Sequence, residues 1–261
     1  MSRKTTLIIP HYGEDRYLEE CLISIRNLSV KPESVKIFNN NPDPISFNLN
    51  CSKSDSDIQI FENKVNIGFT KAVNFLLRAS AQADFIWLLN NDCRVEKDAL
   101  KSLLKTISKR NQIGIVSSYI YDLDNFNQIC FTGGIEPLPG THRTDESEKP
   151  RKEKWVTFCS VLIRKELIQT IGLLDENYFI VSSDADFCYT ARSRGFEIWS
   201  DPGSKVFHHE KHGISRANSK RTDLDLKKRI GLDQRYFFDK WNGELFRDLN
   251  LEVFPEEENV L

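Results

Sequence analysis

Two amides and a carboxylate, Asn90, Asn91 and Asp92, follow an unbroken apolar run at residues 85–89. The run reads as a strand buried on both faces, as in a parallel sheet. Asp92 then stands just past the carboxyl end of a buried strand, the edge at which open α/β sheets bind ligands. A carboxylate there can hold a hard cation, and the cation can hold a diphosphate. The plainer reading is a turn that caps the next helix. A second carboxylate pair, Asp184 and Asp186, opens a predicted helix after Phe179, Ile180 and Val181. Acidic groups in a first turn also simply suit the helix dipole. His208 ends a strand-like run and is followed by His209 and His212. An imidazole ligand for a metal is weighed there against a structural histidine. Further amides, Asn39 and Asn40, end another apolar run, and Asn66 and Gly68 open a helix. That all of these share one crevice is an inference from the fold class.

The elements that would position them alternate along the chain. Short strands are predicted at residues 5–10, 35–38, 58–61, 85–89 and 113–120. Amphipathic helices are predicted at residues 16–28, with Leu18, Cys21, Leu22 and Ile25 on one stripe, and from Phe69 through Ala79. Val95, Ala99, Leu103, Leu104 and Ile107 repeat at helical spacing, so a helix is predicted to begin at Val95. Strand, helix, strand at this spacing means βαβ units with right-handed crossovers. Residues 43–56 are polar and proline-punctuated, a loop. Residues 137–154 are charged with almost nothing apolar and read as a mobile loop, either near a substrate or plainly solvated. A strand-like run returns at 155–163, a helix at 183–194, and short strands at 196–200 and 205–207. From Arg216 the chain reads as helical and detached, with Leu224, Ile230, Tyr236 and Phe237 as its apolar positions. Glu256, Glu257 and Glu258 mark a frayed tail.

Composition narrows the class. The chain has 261 residues, 39% hydrophobic and 28% charged, which is an ordinary globular composition. A net charge of -2 argues against a general nucleic-acid binder. No apolar run approaches the ~20 residues of a membrane span, and no signal-peptide core precedes the first strand. The six cysteines are scattered with no C-x-x-C pair. This fits reduced cytoplasmic thiols better than a disulfide framework or a zinc site.

The runs 6–10, 36–40, 66–74 and 88–92 occur in the order seen in inverting glycosyltransferases of family two. Residues 155–164, 172–175, 183–188 and 206–209 continue the pattern. The chain resembles that family over roughly residues 5–215, and within it the bacterial rhamnosyltransferase-like enzymes of surface polysaccharide synthesis. The resemblance implies an α/β GT-A fold, with a mostly parallel central sheet flanked by helices. It implies a domain over 1–215, with a nucleotide-sugar half at 1–120 and an acceptor half at 121–215. A C-terminal helical extension follows at 216–261. Residue by residue, His11 and Tyr12 are expected against the nucleotide base. Asn39 stands where the family usually has an aspartate contacting base or ribose, with Asn40 beside it. Asn66, Gly68 and Lys71 are expected near the nucleotide-sugar. Asn90, Asn91 and Asp92 occupy the family's D-x-D position, with Asp92 binding the metal. Asp184 matches the general base, and His208 a histidine that completes the metal shell. Trp155 opens the acceptor-half motif and is placed with the substrate-binding residues.

The chemistry implied is metal-dependent transfer of a sugar, with inversion, from a nucleoside diphosphate to a hydroxyl of a glycan or lipid-linked glycan. One carboxylate, one imidazole and diphosphate oxygens suit Mn²⁺ or Mg²⁺. Asn39, Asn90 and Ser183 depart from carboxylates common in the family. They keep a second reading open, a nucleotide-sugar-binding or assembly subunit without turnover. A nucleotidyltransferase would need a glycine-rich phosphate loop near the N-terminus, and His11, Tyr12 and Gly13 form none. The basic residues Lys220, Arg221, Lys227, Lys228 and Arg229 are read in two ways. They contact an anionic membrane from the cytoplasmic side, or they form a solvated face whose apolar side packs on the core or on a second copy. Interspersed acidic residues favour the second.

Overall fold

The computed structural model describes residues 3–47, 57–135, 141–209 and 226–245. Its centre is a ten-stranded sheet. The strands are β1 (Thr5–His11), β2 (Ser34–Asn39), β3 (Asp57–Glu62), β4 (Phe85–Leu89), β5 (Cys93–Val95), β6 (Ile113–Asp122), β7 (Ile129–Phe131), β10 (Arg151–Glu153), β11 (Ser160–Arg164) and β12 (Glu197–His208). β8 (Gly133–Gly134) and β9 (His142–Arg143) form a separate two-stranded ribbon. The main order is β10-β12-β6-β11-β4-β1-β2-β3, with β5 paired to β12 and β7 to β6.

Strands β3, β2, β1 and β4 run parallel, and β6 with β12 form a second parallel pair. β11 is antiparallel to both β4 and β6, so these six strands all point the same way. The carboxyl ends of β1, β2, β4 and β12 therefore meet one edge. Every residue of β1, β4, β6 and β11 is buried, as the unbroken apolar runs require.

Helices flank the sheet: α1 (Asp15–Arg26), α2 (Phe69–Ala79), α3 (Ala99–Ile107), α4 (Lys165–Ile171), α5 (Ser183–Ser193) and α6 (Leu226–Leu245). On α2 the stripe Ala72, Val73, Leu76 and Leu77 is buried over β1 and β2. Removing each large apolar side chain from water stabilises the fold by about 1.5–3 kcal/mol. No described helix is long and apolar enough to cross a membrane.

Five expectations are corrected, four of them within the sheet and its edge. The helix does not begin at Val95. Residues 93–95 pair with Phe207 and its neighbours as β5, so Val95 is buried by sheet pairing, and the helix begins at Ala99. The run at 155–163 is a strand only from Ser160; residues 155–159 are irregular. The strands at 196–200 and 205–207 are one strand, β12, interrupted between Asp201 and Lys205. Asp201 is buried in that irregularity and accepts bonds from Ser102, Thr106 and the Gly203 backbone N–H. The charged stretch, where it is described, is not a plain loop. β10 adds to the sheet edge, and the buried carboxylate of Glu153 pairs with Arg143 and Arg151 and accepts a bond from Ser200. Ion pairs replace an apolar core there, which is why composition read it as solvated.

Segment 216–225, with Lys220 and Arg221, lies outside the described residues, as do His212, Cys51 and the tail beyond 245. The described part of the extension, α6, is not detached. Phe237 is fully buried against the ring of Tyr189, and Tyr236 stacks edge-on to Tyr178. Lys240 pairs with Asp175 and Asp186, and the Trp241 indole donates to Asp186.

Candidate active site

A pocket opens at the carboxyl edge of the sheet. Of the residues singled out in the sequence, His11, Tyr12, Asn40, Asn66, Gly68, Asn90, Asn91, Asp92, Asp184 and His208 line it together. The β-strand ends account for this convergence. His11 is the last residue of β1, Asn40 follows β2, Asn90 to Asp92 follow β4, and His208 ends β12.

The amides form the floor. The Asn91 amide donates to His11 Nδ1 at 2.9 Å, which leaves the ring proton on Nε2, 2.9 Å from Asp15 Oδ1. His11 is fully buried, and that burial lowers its pKa despite the opposing pull of Asp15. Its ring is a neutral brace between β1, α1 and the β4 turn. Asn40 donates to Asn66 Oδ1 at 2.8 Å and accepts the Ile67 N–H at 2.9 Å, so it fixes the turn into α2. Gly68 in that turn has φ +88°, and an added Cβ would lie 2.6 Å from the Phe179 carbonyl oxygen. Gly68→Ala is therefore expected to cost about 2–4 kcal/mol, from backbone strain plus overpacking, read as a lower urea midpoint at unchanged m.

Asp92 is nearly buried, and its Oδ1 lies 3.2 Å from His208 Nε2. The β5–β12 ladder, which pairs His208 with Cys93, sets this approach. Two ligand atoms on adjacent corners of an octahedron around a small divalent ion stand about 3 Å apart. The pair fits such an ion, with the remaining positions left to substrate oxygens and water. His209 faces elsewhere. Its ring meets Tyr17 edge-on at 4.7 Å and lies 3.8 Å from Glu20.

Asp184 sits in the first turn of α5 and keeps part of its surface open to the pocket. Burial pushes its carboxyl up to about 6, against the pull of the Ala185, Phe158 and own backbone N–H groups. A carboxyl poised near 6 can take a proton at neutral pH. Asp186, two residues on, is structural. It accepts from the Tyr178 hydroxyl and the Trp241 indole and pairs with Lys240.

Besides Asp186 and His209, three singled-out residues are not in the pocket lining. Asn39 is fully buried, and its amide donates to the Glu62 carboxylate and the Asp43 carbonyl. Lys71 is exposed on α2. Trp155 packs on Phe131 and donates to the Ile135 carbonyl. Thr157, Phe158, Cys159, Phe179, Ile180 and Leu226 line the pocket and were not singled out. The first three lie within the motif at 155–164, which was the available signal. Leu226 carried none.

Sequence reasoning also missed Asp233. It is buried on α6 and accepts three backbone N–H bonds, from Phe179, Ile180 and Val181, at 2.7–2.9 Å. Arg229, one turn earlier, lies over the Phe179 ring at 4.0 Å. The Phe179 carbonyl accepts from Phe69 N–H at the start of α2. Ser182, the N-cap of α5, is left-handed with φ 65°. α6 thus holds the loop from which Asp184 projects.

These features define a class. The architecture is the GT-A fold of glycosyltransferases. The chain aligns over 95% of its length with GalNAc-T7, solved with UDP, GalNAc and Mn²⁺, at TM-score 0.63 and 14% identity, covering 58% of that chain. It aligns over 95% with the mannosyltransferase PcManGT of Pyrobaculum calidifontis, solved with GDP-Man and Mn²⁺, at TM-score 0.60 and 16% identity, covering 71% of that chain. TarS 1-349 of S. aureus gives TM-score 0.57 over 97% of this chain and 76% of that one, at 14% identity. The chain belongs to glycosyl transferase family 2, which it matches over residues 6–172. It is 25% identical over 147 residues to the dTDP-rhamnosyl transferase RfbF of Shigella flexneri; that match takes in 55% of this chain and spans about half, 49%, of the relative's length.

Proposed function

We propose that this chain is a metal-dependent, inverting glycosyltransferase that moves a sugar, rhamnosyl or another, from a nucleoside diphosphate to a hydroxyl of a glycan or glycolipid acceptor. The observation that carries the reading is one pocket lined by Asp92, His208 and Asp184. Asp92 and His208 would hold Mn²⁺ or Mg²⁺. A cation held by these two residues would neutralise charge developing on the departing diphosphate. Neighbours solved with Mn²⁺ and with UDP or GDP-Man support both the ion and the donor class.

Asp184 takes the proton of the acceptor hydroxyl. The acceptor oxygen forms its bond to the anomeric carbon as the bond from that carbon to the phosphate oxygen breaks. The bonding pair leaves with the nucleoside diphosphate. Attack from the face opposite the leaving group inverts the centre without a covalent intermediate. His11 and Asn91 brace the loop beneath the nucleotide, and Asn40 with Asn66 hold the backbone of the turn at Gly68. Asn90 supplies an amide donor and acceptor to the pocket where a carboxylate is common in the family, while the amide of Asn39 is spent on Glu62 and the Asp43 carbonyl.

A thermal-shift screen of nucleoside diphosphates and nucleotide-sugars, with and without Mn²⁺, tests the donor and metal assignments together. A ligand at 100 times its Kd stabilises the folded state by about 2.7 kcal/mol. One nucleotide is expected to raise Tm in Mn²⁺, and the Asp92→Ala protein is expected to lose that increment. Stabilisation that ignores both metal and Asp92 overturns the metal assignment. Binding without any transfer to acceptors favours a subunit that holds nucleotide-sugar without turnover.

A further inference from the structure

Cys93, Cys159 and His208 come together at the base of the pocket. The two Sγ atoms are 3.4 Å apart, and both thiols and one ring nitrogen of His208 lie within 4.8 Å of one another. We propose that these three side chains form a second metal site, selective for a thiophilic divalent ion such as Zn²⁺.

The geometry supports this directly. Zinc bonds thiolate sulfur at about 2.3 Å and imidazole nitrogen at about 2.0–2.1 Å in a tetrahedral shell. The corresponding tetrahedron has S–S and S–N edges of about 3.5–3.8 Å. The S–S distance of 3.4 Å is close to that edge, and the S–N separations, all within 4.8 Å, close by small side-chain rotations. The backbone holds the three in place. His208 and Cys93 are directly paired in the β5–β12 ladder, and the Cys159 carbonyl accepts the Asn90 N–H at 2.9 Å. Cys159 and His208 reach the pocket, which gives the ion an entry path and a fourth position for water or a substrate oxygen. On binding, each thiol releases its proton to solvent and becomes the thiolate ligand. The plainer alternative is two buried thiols that merely touch.

Two sulfurs and an imidazole suit Zn²⁺, whereas a carboxylate with phosphate oxygens suits Mn²⁺ or Mg²⁺. His208 belongs to both sets, because its Nε2 also lies 3.2 Å from Asp92. Turning the one ring onto the thiols draws it away from Asp92, so zinc acts as an antagonist of the Mn²⁺-bound state. That consequence rests on the proposed function; the binding itself does not.

Cobalt is the probe, because thiolate ligands give Co²⁺ a near-ultraviolet charge-transfer band that oxygen and nitrogen ligands do not. The full chain, reduced and metal-stripped, is titrated with Co²⁺ and then with Zn²⁺. One equivalent of Co²⁺ is expected to produce the band, and one equivalent of Zn²⁺ to abolish it. Cys93→Ser and Cys159→Ser should each weaken binding about 10-fold or more and cut the band, while Cys130→Ser and Asp92→Ala leave it intact. Circular dichroism checks the fold, and Cys93→Ala and Cys159→Ala carry the test for any serine variant that unfolds. Absence of the band on the folded protein overturns the site, as does a band that survives both substitutions. Neither result bears on Mn²⁺-dependent nucleotide binding, so the two readings fail separately.

Discussion

Replacing Asp184 by Asn is expected to lower kcat by about 10²–10⁴-fold while raising the melting temperature. The two effects share one cause. Burial holds the folded carboxyl at about 6, above its ordinary value of 3.8. A raised carboxyl pKa means the folded state binds the proton more tightly than the unfolded chain. Its contribution to stability is fully present below pH 3.8, declines as pH rises towards about 6, and stays lost above that. At neutral pH the carboxylate therefore strains the fold, and Asn removes the charge at nearly constant shape. Each pKa unit is worth about 1.4 kcal/mol. Partial solvation by the pocket and the retained backbone bonds reduce the gain to about 1–2 kcal/mol. For a domain of this size that is about 2–4 °C per kcal/mol. Wild-type kcat/KM should rise tenfold per pH unit below about 6 and level off above it, and the Asn variant should lose that break. A variant that is both inactive and less stable, or that keeps the same pH break, would remove Asp184 from the role of base.

Replacing Asp233 by Ala should act on the same carboxylate through the loop that carries it. Asp233 collects the N–H groups of Phe179, Ile180 and Val181, and no other described group bonds those three nitrogens. Hydrogen bonds to a charged acceptor are worth about 1.5–3 kcal/mol, and a buried donor left without a partner costs about 1–3 kcal/mol. With some relaxation of the loop, a net loss of about 3 kcal/mol or more is expected in urea unfolding. The loop also carries the Phe179 carbonyl against α2 and leads into the left-handed Ser182 before Asp184. A displacement of about 1 Å at a reacting group can cost about 10²-fold in rate. Under conditions where the variant remains folded, kcat should fall by about 10-fold or more while Mn²⁺-dependent nucleotide binding at Asp92 persists. Asp239→Ala on the exposed face of α6 serves as the control and should stay within about 0.5 kcal/mol of wild type. An Asp233→Ala protein as stable and active as that control would show that α6 does not position the loop.

α6 makes polar contacts that were not legible in the sequence. Its contacts come from Arg229, Asp233, Phe237 and Trp241, spaced four residues apart on one helical stripe. Packing of an apolar side that includes Tyr236 and Phe237 is the favoured reading of the sequence, but two of these four are charged, so hydrophobic periodicity does not place Arg229 and Asp233 on the buried stripe. The partners that bury Asp233 are backbone N–H groups about fifty residues earlier, invisible to any pattern of side chains. Glu153 was hidden for a related reason: its burial depends on Arg143, brought in by a neighbouring ribbon, together with Arg151 on its own strand.

By itself, the sequence determined the alternation of strands and helices, because fully buried strands must be apolar runs and helices must repeat their apolar stripe. It also determined which polar residues follow the strands, and the parallel sheet then carried His11, Asn40, Asp92 and His208 to a common edge. The tertiary structure alone decided which of these face the pocket. Strand pairing turned Asn39 towards Glu62, set His208 against Asp92 and directed His209 to Tyr17. It also brought the free thiols of Cys93 and Cys159 to 3.4 Å of each other across 66 residues, a contact that their scattered spacing does not show. Such contacts depend on register between segments distant in the chain, and register is fixed by packing of the whole sheet rather than by any local run.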